Sequence, residues 1–137
     1  MCDLLIVFDN HIIIFSDKDC VYGNSDDPKV DWRRWYKRAI QKSAEQLIGA
    51  KNWIIRYPDR IAVDAKCSQK IPLKIKITAE TEFHLIAIAH GATEPCKKYF
   101  SGGDGGLMVD SCIVGNMHIN EDCEPFCIGR VFNEPQA

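Results

Sequence analysis

The chain has 137 residues and a net charge of −2, with 46% hydrophobic and 26% charged residues. These values suit one globular domain with a real core and exclude a wholly basic nucleic-acid binder, so any basic patch must be local. No apolar run approaches the roughly 18 residues of a membrane span, and no signal peptide stands at the start, so no membrane association and a cytoplasmic location are expected.

The first predicted element is a hairpin in "DLLIVFDNHIIIFSDKD", residues 3–19. Asp9-Asn10 suits a two-residue turn, because both residue types tolerate positive φ. Paired residues then run Phe8 with His11, Ile6 with Ile13, Leu4 with Phe15 and Asp3 with Ser16. Alternation places Asp3, Ser16 and Lys18 on one face, with Asp17 and Asp19 on the other. Two nearly continuous apolar strands predict burial on both faces of the sheet.

This stretch resembles a known site. An aspartate on one strand and an acid-x-lysine on the next form the metal site of the PD-(D/E)xK, or restriction-endonuclease-like, nuclease superfamily. "CDLLIVFDNHIIIFSDK" followed by "WRRWYKRAIQKSAEQLIGAKNWI" is also similar to a little-characterised bacterial family with those features. The likeness covers about the first half of the chain. It implies a magnesium-dependent nuclease acting on DNA or RNA. Magnesium held by carboxylates would stabilise the phosphate and generate hydroxide, with a lysine beside it.

Carried over by residue, the likeness makes Asp3 the first metal ligand and Lys18 the lysine. The second acid falls on Ser16. Three readings follow: Asp17 serves through a bulge, another element supplies the acid, or the site is inactive. Asp3 also stands two residues from the start, whereas the superfamily places a helix and a strand before it. The chain therefore reads as N-terminally short, with an apolar hairpin edge that a second copy could cover.

"GNSDDPKVD" (23–31) is turn-rich, and Asp31 reads as the N-cap of a helix from Trp32 to about Asn52. Trp32, Trp35, Tyr36, Ala39, Ile40, Leu47 and Ala50 share its apolar face. Arg33, Arg34, Lys37, Arg38 and Lys42 cover the opposite side and edges. They form either a solvated face or a phosphate-contact surface. Ser43 falls within the apolar face, where it can bond to its own helix. Gln46 lies at the edge, pointing toward the sheet. It resembles the glutamine or lysine that many of these nucleases place beside the metal, and otherwise reads as a helix-to-sheet hydrogen bond.

Further strands are predicted at "RIAVD" (60–64), "FHLIAIAH" (83–90), "GLMVDSCIVG" (106–115) and "FCIGRVF" (126–132). "SGGDGG" (101–106) lacks the Lys-Ser/Thr of a P-loop and reads as a loop. His84 and His90 read as core or edge histidines. The seven cysteines are an odd number, which points to free thiols in a reducing compartment. Cys112, His118, Cys123 and Cys127 form the most metal-like group, but their spacing matches no zinc knuckle, so zinc is not expected there.

The expectation is therefore an α/β fold: a mixed sheet opened by a hairpin, with one long amphipathic helix packed on it. The domain spans 1–132, with a tail at 133–137. The function is a nuclease-like domain, or a non-catalytic nucleic-acid or protein interaction module of the same fold. Self-association is expected.

Overall fold

The computed structural model describes residues 2–132. Strand β1 (Leu4–Phe8) and strand β2 (His11–Asp19) form an antiparallel hairpin. The pairing runs from Phe8 with His11 to Leu4 with Phe15, as the turn position requires. Asp9 turns the chain in the left-handed region, at φ 54°. Strand β3 (Glu82–His90) lies on the other side of β2, giving the order β1-β2-β3. The Glu82 amide donates to the Asn10 carbonyl and His11 meets His84, so β2 and β3 start at the same end. The sheet is therefore mixed, and the long helix lies in the connection between its two parallel strands.

That helix is built from α1 (Pro28–Tyr36), a π turn (Lys37–Gln41) and α2 (Lys42–Arg56). Its N-cap is Asp27, whose carboxylate accepts the Lys29 amide, with Pro28 pre-set at the first helical position. Asp31, the expected cap, instead lies inside the first turn, where it is buried and accepts the Ser25 amide. The cap moved because Asp27-Pro28 is the stronger start signal. The helix also runs on to Arg56, past Asn52, because nothing in "WIIR" stops it.

Contacts sort the chain into two compact units. The first comprises residues 1–17 and 45–88. Its core is aliphatic: Ile12 and Ile14 of β2 pack with Leu47 and Ile54 of α2 and with Ile75. Leu5, Val7, Phe83 and Leu85 add to it. The helix thus covers one face of the sheet. The other face is open, which corrects the expectation of burial on both sides: Leu4, Ile6, Phe8, Ile86 and Ile88 are all exposed. "RIAVD" forms no strand but a single bridge, Ala62 with Lys70, beside the 3-10 turn Pro58–Arg60. Charges at both ends, Arg60 and Asp64, leave only three apolar residues between them, too short a run for a ladder.

The second unit comprises residues 18–44 and, among the described residues, 89–132. Its core is aromatic: Trp32, Trp35, Tyr36 and Phe126, with Ala39, Ile40, Ala92 and Cys96. A short helix, α3 (Thr93–Tyr99), was not foreseen, since "TEPCKKY" is brief and holds a proline. Strands β4 (Met108–Val114) and β5 (Cys127–Arg130) pair in parallel as a separate two-stranded sheet. Residues 101–106 form no regular element, as their glycines predict. The expected tail, 133–137, lies outside the described residues. Among the described residues, no helix is long and apolar enough to cross a membrane.

Candidate functional site

Three groups of side chains carry the functional question. The first is the open end of the hairpin. The regular ladder stops at Leu4 with Phe15. Beyond it the Asp3 amide also donates to the Phe15 carbonyl, at 2.9 Å, so two residues of one strand face one of the other. This irregularity reverses the alternation. Cys2 packs on the aliphatic core with Leu5 and Val7, while Asp3 is exposed.

Asp3 therefore does not sit across from Ser16. Its Oδ2 accepts the backbone N–H of Asp17 at 2.7 Å. Ser16 is buried on the helix-covered face at 2% exposure, in line with Ile12 and Ile14. Asp17 alternates to the exposed side, and Lys18 alternates back and is half-buried. The two acids thus stand on one side of the strand and the lysine on the other.

Gln46 is solvent-exposed, not covered against the sheet, because it precedes the buried Leu47 at the rim of the helix face. Ser43 is fully buried and donates to the Ala39 carbonyl of its own helix at 2.8 Å. A magnesium ion would meet Asp3 and Asp17 at this strand end, with one Asp3 oxygen already engaged by an amide. The set does not match two acids and a lysine facing one ion.

The second group is the basic helix face. Arg34, Lys37, Arg38 and Lys42 are exposed, and Arg33 is half-buried. Trp32, Trp35, Tyr36 and Ala39 anchor the opposite face, so the cations are held outward by the packing of their neighbours. Arg38 is further fixed by bonds to the carbonyls of Arg34 and Val21. Among the described residues, none of these five cations pairs with a carboxylate. Arg34 to Lys42 spans about 12 Å along the axis.

The third group was missed in the sequence: His11, Glu82 and His84. His11 Nδ1 lies 3.0 Å from His84 Nε2 and 3.4 Å from a Glu82 carboxylate oxygen. Glu82 and His84 are two apart on β3 and so share a face, and His11 is their neighbour on β2. Only the Glu-x-His spacing was visible in advance. The pairing of β2 with β3, 71 residues away, was not.

The cysteine group behaves differently. His118 is buried, with Nδ1 donating to the Gly115 carbonyl at 2.7 Å and Nε2 accepting the Gly129 amide at 2.9 Å. Both ring nitrogens are spent on backbone. Burial raises the pKa of the Cys123 and Cys127 thiols, which favours the neutral form over the metal-binding thiolate. Cys112 is exposed. The chain's likeness to other proteins adds nothing to this geometry, since no family model, no curated protein and no solved structure matches it.

Proposed function

We propose that this chain is a nucleic-acid-binding module of nuclease-like architecture that does not cleave through its hairpin end. The observation that carries the reading is the row Arg34, Lys37, Arg38 and Lys42: four outward cations with no carboxylate partner among the described residues. A merely solvated face of this kind usually interleaves acids, which stabilise the isolated helix by pairing. Here the only acid between Asp31 and Lys51 is Glu45, and the cations keep donors for phosphate, Arg38 through those not bonded to the Arg34 and Val21 carbonyls. The divided hairpin end supports the second half of the reading, because the lysine and the two acids leave the strand on opposite sides. The nucleic-acid class is left to the test. Self-association would use the open face of the sheet, where Phe8 and Leu4 stand exposed.

The test is fluorescence anisotropy with labelled duplex DNA, single-stranded DNA and RNA across a salt series. Four phosphate contacts predict a log–log salt slope of about −3 to −4 for duplex DNA. Replacing Arg34, Lys37, Arg38 and Lys42 with glutamine should remove most of the affinity regardless of sequence. No measurable binding at low salt would sink the binding half. Plasmid cleavage with magnesium or manganese that an Asp3→Ala, Lys18→Ala variant abolishes would sink the non-catalytic half.

A further inference from the structure

The three donors of His11, Glu82 and His84 are the described residues whose ligand atoms converge. Their separations are 3.0 Å between the two imidazole nitrogens, 3.4 Å from His11 to Glu82 and 4.0 Å from His84 to Glu82. A metal bound at about 2.0–2.1 Å with angles between 90° and tetrahedral spaces its ligand atoms about 2.9–3.4 Å apart. Two of the three edges already match. The third closes by a small swing of Glu82, whose side chain is 61% exposed and free to move.

The backbone organises this triangle before any ligand arrives. Asn10, in the hairpin turn, donates through its side-chain amide to the Glu80 carbonyl at 2.8 Å, and its own carbonyl accepts the Glu82 amide at 2.8 Å. These two bonds pin the start of β3 against the start of β2. Strand alternation then presents Glu82, His84 and His11 on the same open face. The triangle also stands about 20 Å along β2 from Asp17, so it is separate from the hairpin end considered above.

We infer that His11 Nδ1, His84 Nε2 and a Glu82 carboxylate oxygen bind a divalent first-row transition metal of the zinc class, with at least one coordination position left to solvent. Two imidazoles and one carboxylate favour zinc, cobalt or nickel over magnesium or calcium, which take all-oxygen sets. Three protein ligands on an exposed face leave room for water or an exogenous ligand, the arrangement of an open site. Without metal, the two imidazole nitrogens can approach to 3.0 Å only as one donor and one acceptor. Metal binding breaks that bond: the donor ring moves its proton, through solvent, to its other nitrogen, and both facing nitrogens then give their lone pairs to the metal.

The experiment uses the full chain, with zinc followed by calorimetry and cobalt(II) by visible absorption. One equivalent should bind. The cobalt spectrum should show d–d bands without the near-ultraviolet thiolate charge transfer that cysteine ligation produces, a control demanded by seven free cysteines. His11→Ala and His84→Ala should each weaken zinc at least roughly tenfold, since even groups behind a ligand cost that much. Zinc should raise the melting temperature of the wild-type chain but not of the His11→Ala, His84→Ala double variant. The more conservative Glu82→Gln covers the case in which the histidine variants misfold, and it should also weaken zinc. Unchanged zinc affinity in folded variants, or a thiolate band in the cobalt spectrum, would overturn the inference.

Discussion

The two cores of this molecule are made of different material. The unit of residues 1–17 and 45–88 packs isoleucines and leucine between one sheet face and the end of the long helix. The other unit packs Trp32, Trp35, Tyr36 and Phe126, with ring centroids of Trp32 and Phe126 5.4 Å apart. Aliphatic packing asks little of the backbone, so alternation along a strand and periodicity along a helix suffice to build it.

The aromatic core asks more. Phe126 is held at φ 62°, in the left-handed region, and is 1% exposed. The Tyr22 hydroxyl, the Trp32 indole N–H and the Tyr36 hydroxyl are buried without a protein hydrogen-bond partner. Burial pushes the Tyr36 hydroxyl up to about 12, and it drives Tyr22 well above its ordinary value with the Asp31 carboxylate adding to the shift. Large rings supply enough buried area to offset such costs.

The comparison breaks most visibly at Phe126. Its ring meets those of Tyr22, Trp32 and Tyr99 at 5.6, 5.4 and 5.5 Å. Truncation to alanine keeps the strained φ, because alanine retains a Cβ, yet removes the contacts that hold it there. Phe126→Ala should lose about 3–5 kcal/mol. Ile14→Ala, fully buried in the aliphatic core, should lose less, toward the lower end of about 2–5 kcal/mol. Chemical denaturation followed by far-ultraviolet circular dichroism measures both. A larger loss at Ile14 would reverse the ranking of the two cores.

The glycines sharpen the same contrast at smaller amplitude. At Gly129 a Cβ would run into the carbonyl oxygens of Ile113 and Asp110, and the Gly129 amide is also the donor to His118. Gly129→Ala should therefore cost at least about 1–3 kcal/mol, as overpacking does. At Gly49, on the exposed side of α2, a Cβ meets nothing within 4 Å. Gly49→Ala should stabilise by up to about 1 kcal/mol through helix propensity and a less mobile unfolded chain. Thermal melts of the two variants should move in opposite directions. A neutral Gly129→Ala would mean that β4 and β5 are less closely set than their contacts indicate.

The same division decides what could be read in advance. The hairpin register followed from Asp9-Asn10 because turn length fixes pairing locally. The apolar helix face and β3 followed from periodicity. The Asp3 irregularity did not, since one extra residue in a strand leaves no mark on alternation so short. Strands β4 and β5 were both visible, but their parallel pairing and the role of Gly129 depend on contacts between separate segments. The His11–Glu82–His84 triangle needed the pairing of two strands that 62 residues separate, from Asp19 to Glu82. Local rules therefore found the hairpin, the long helix and most strands but missed α3 and misread residues 60–64, while the His11–Glu82–His84 group arose from how the elements meet.

Ser43 gives the finest test of the local rules. It sits at 0% exposure within an otherwise apolar helix face, where a serine would ordinarily call for a partner on another element. Its hydroxyl instead donates to the Ala39 carbonyl one turn back, at 2.8 Å, just after the π turn of Lys37–Gln41. Alanine would lose that bond, worth about 0.5–1.5 kcal/mol net. It would gain helix propensity of about 0.5 kcal/mol and no longer bury a hydroxyl. Ser43→Ala should therefore change stability by less than about 1 kcal/mol, and Ser43→Val should cost about 1–3 kcal/mol by overpacking a filled site. A loss from Ser43→Ala as large as that from Ser43→Val would show that the hydroxyl serves a partner beyond its own helix.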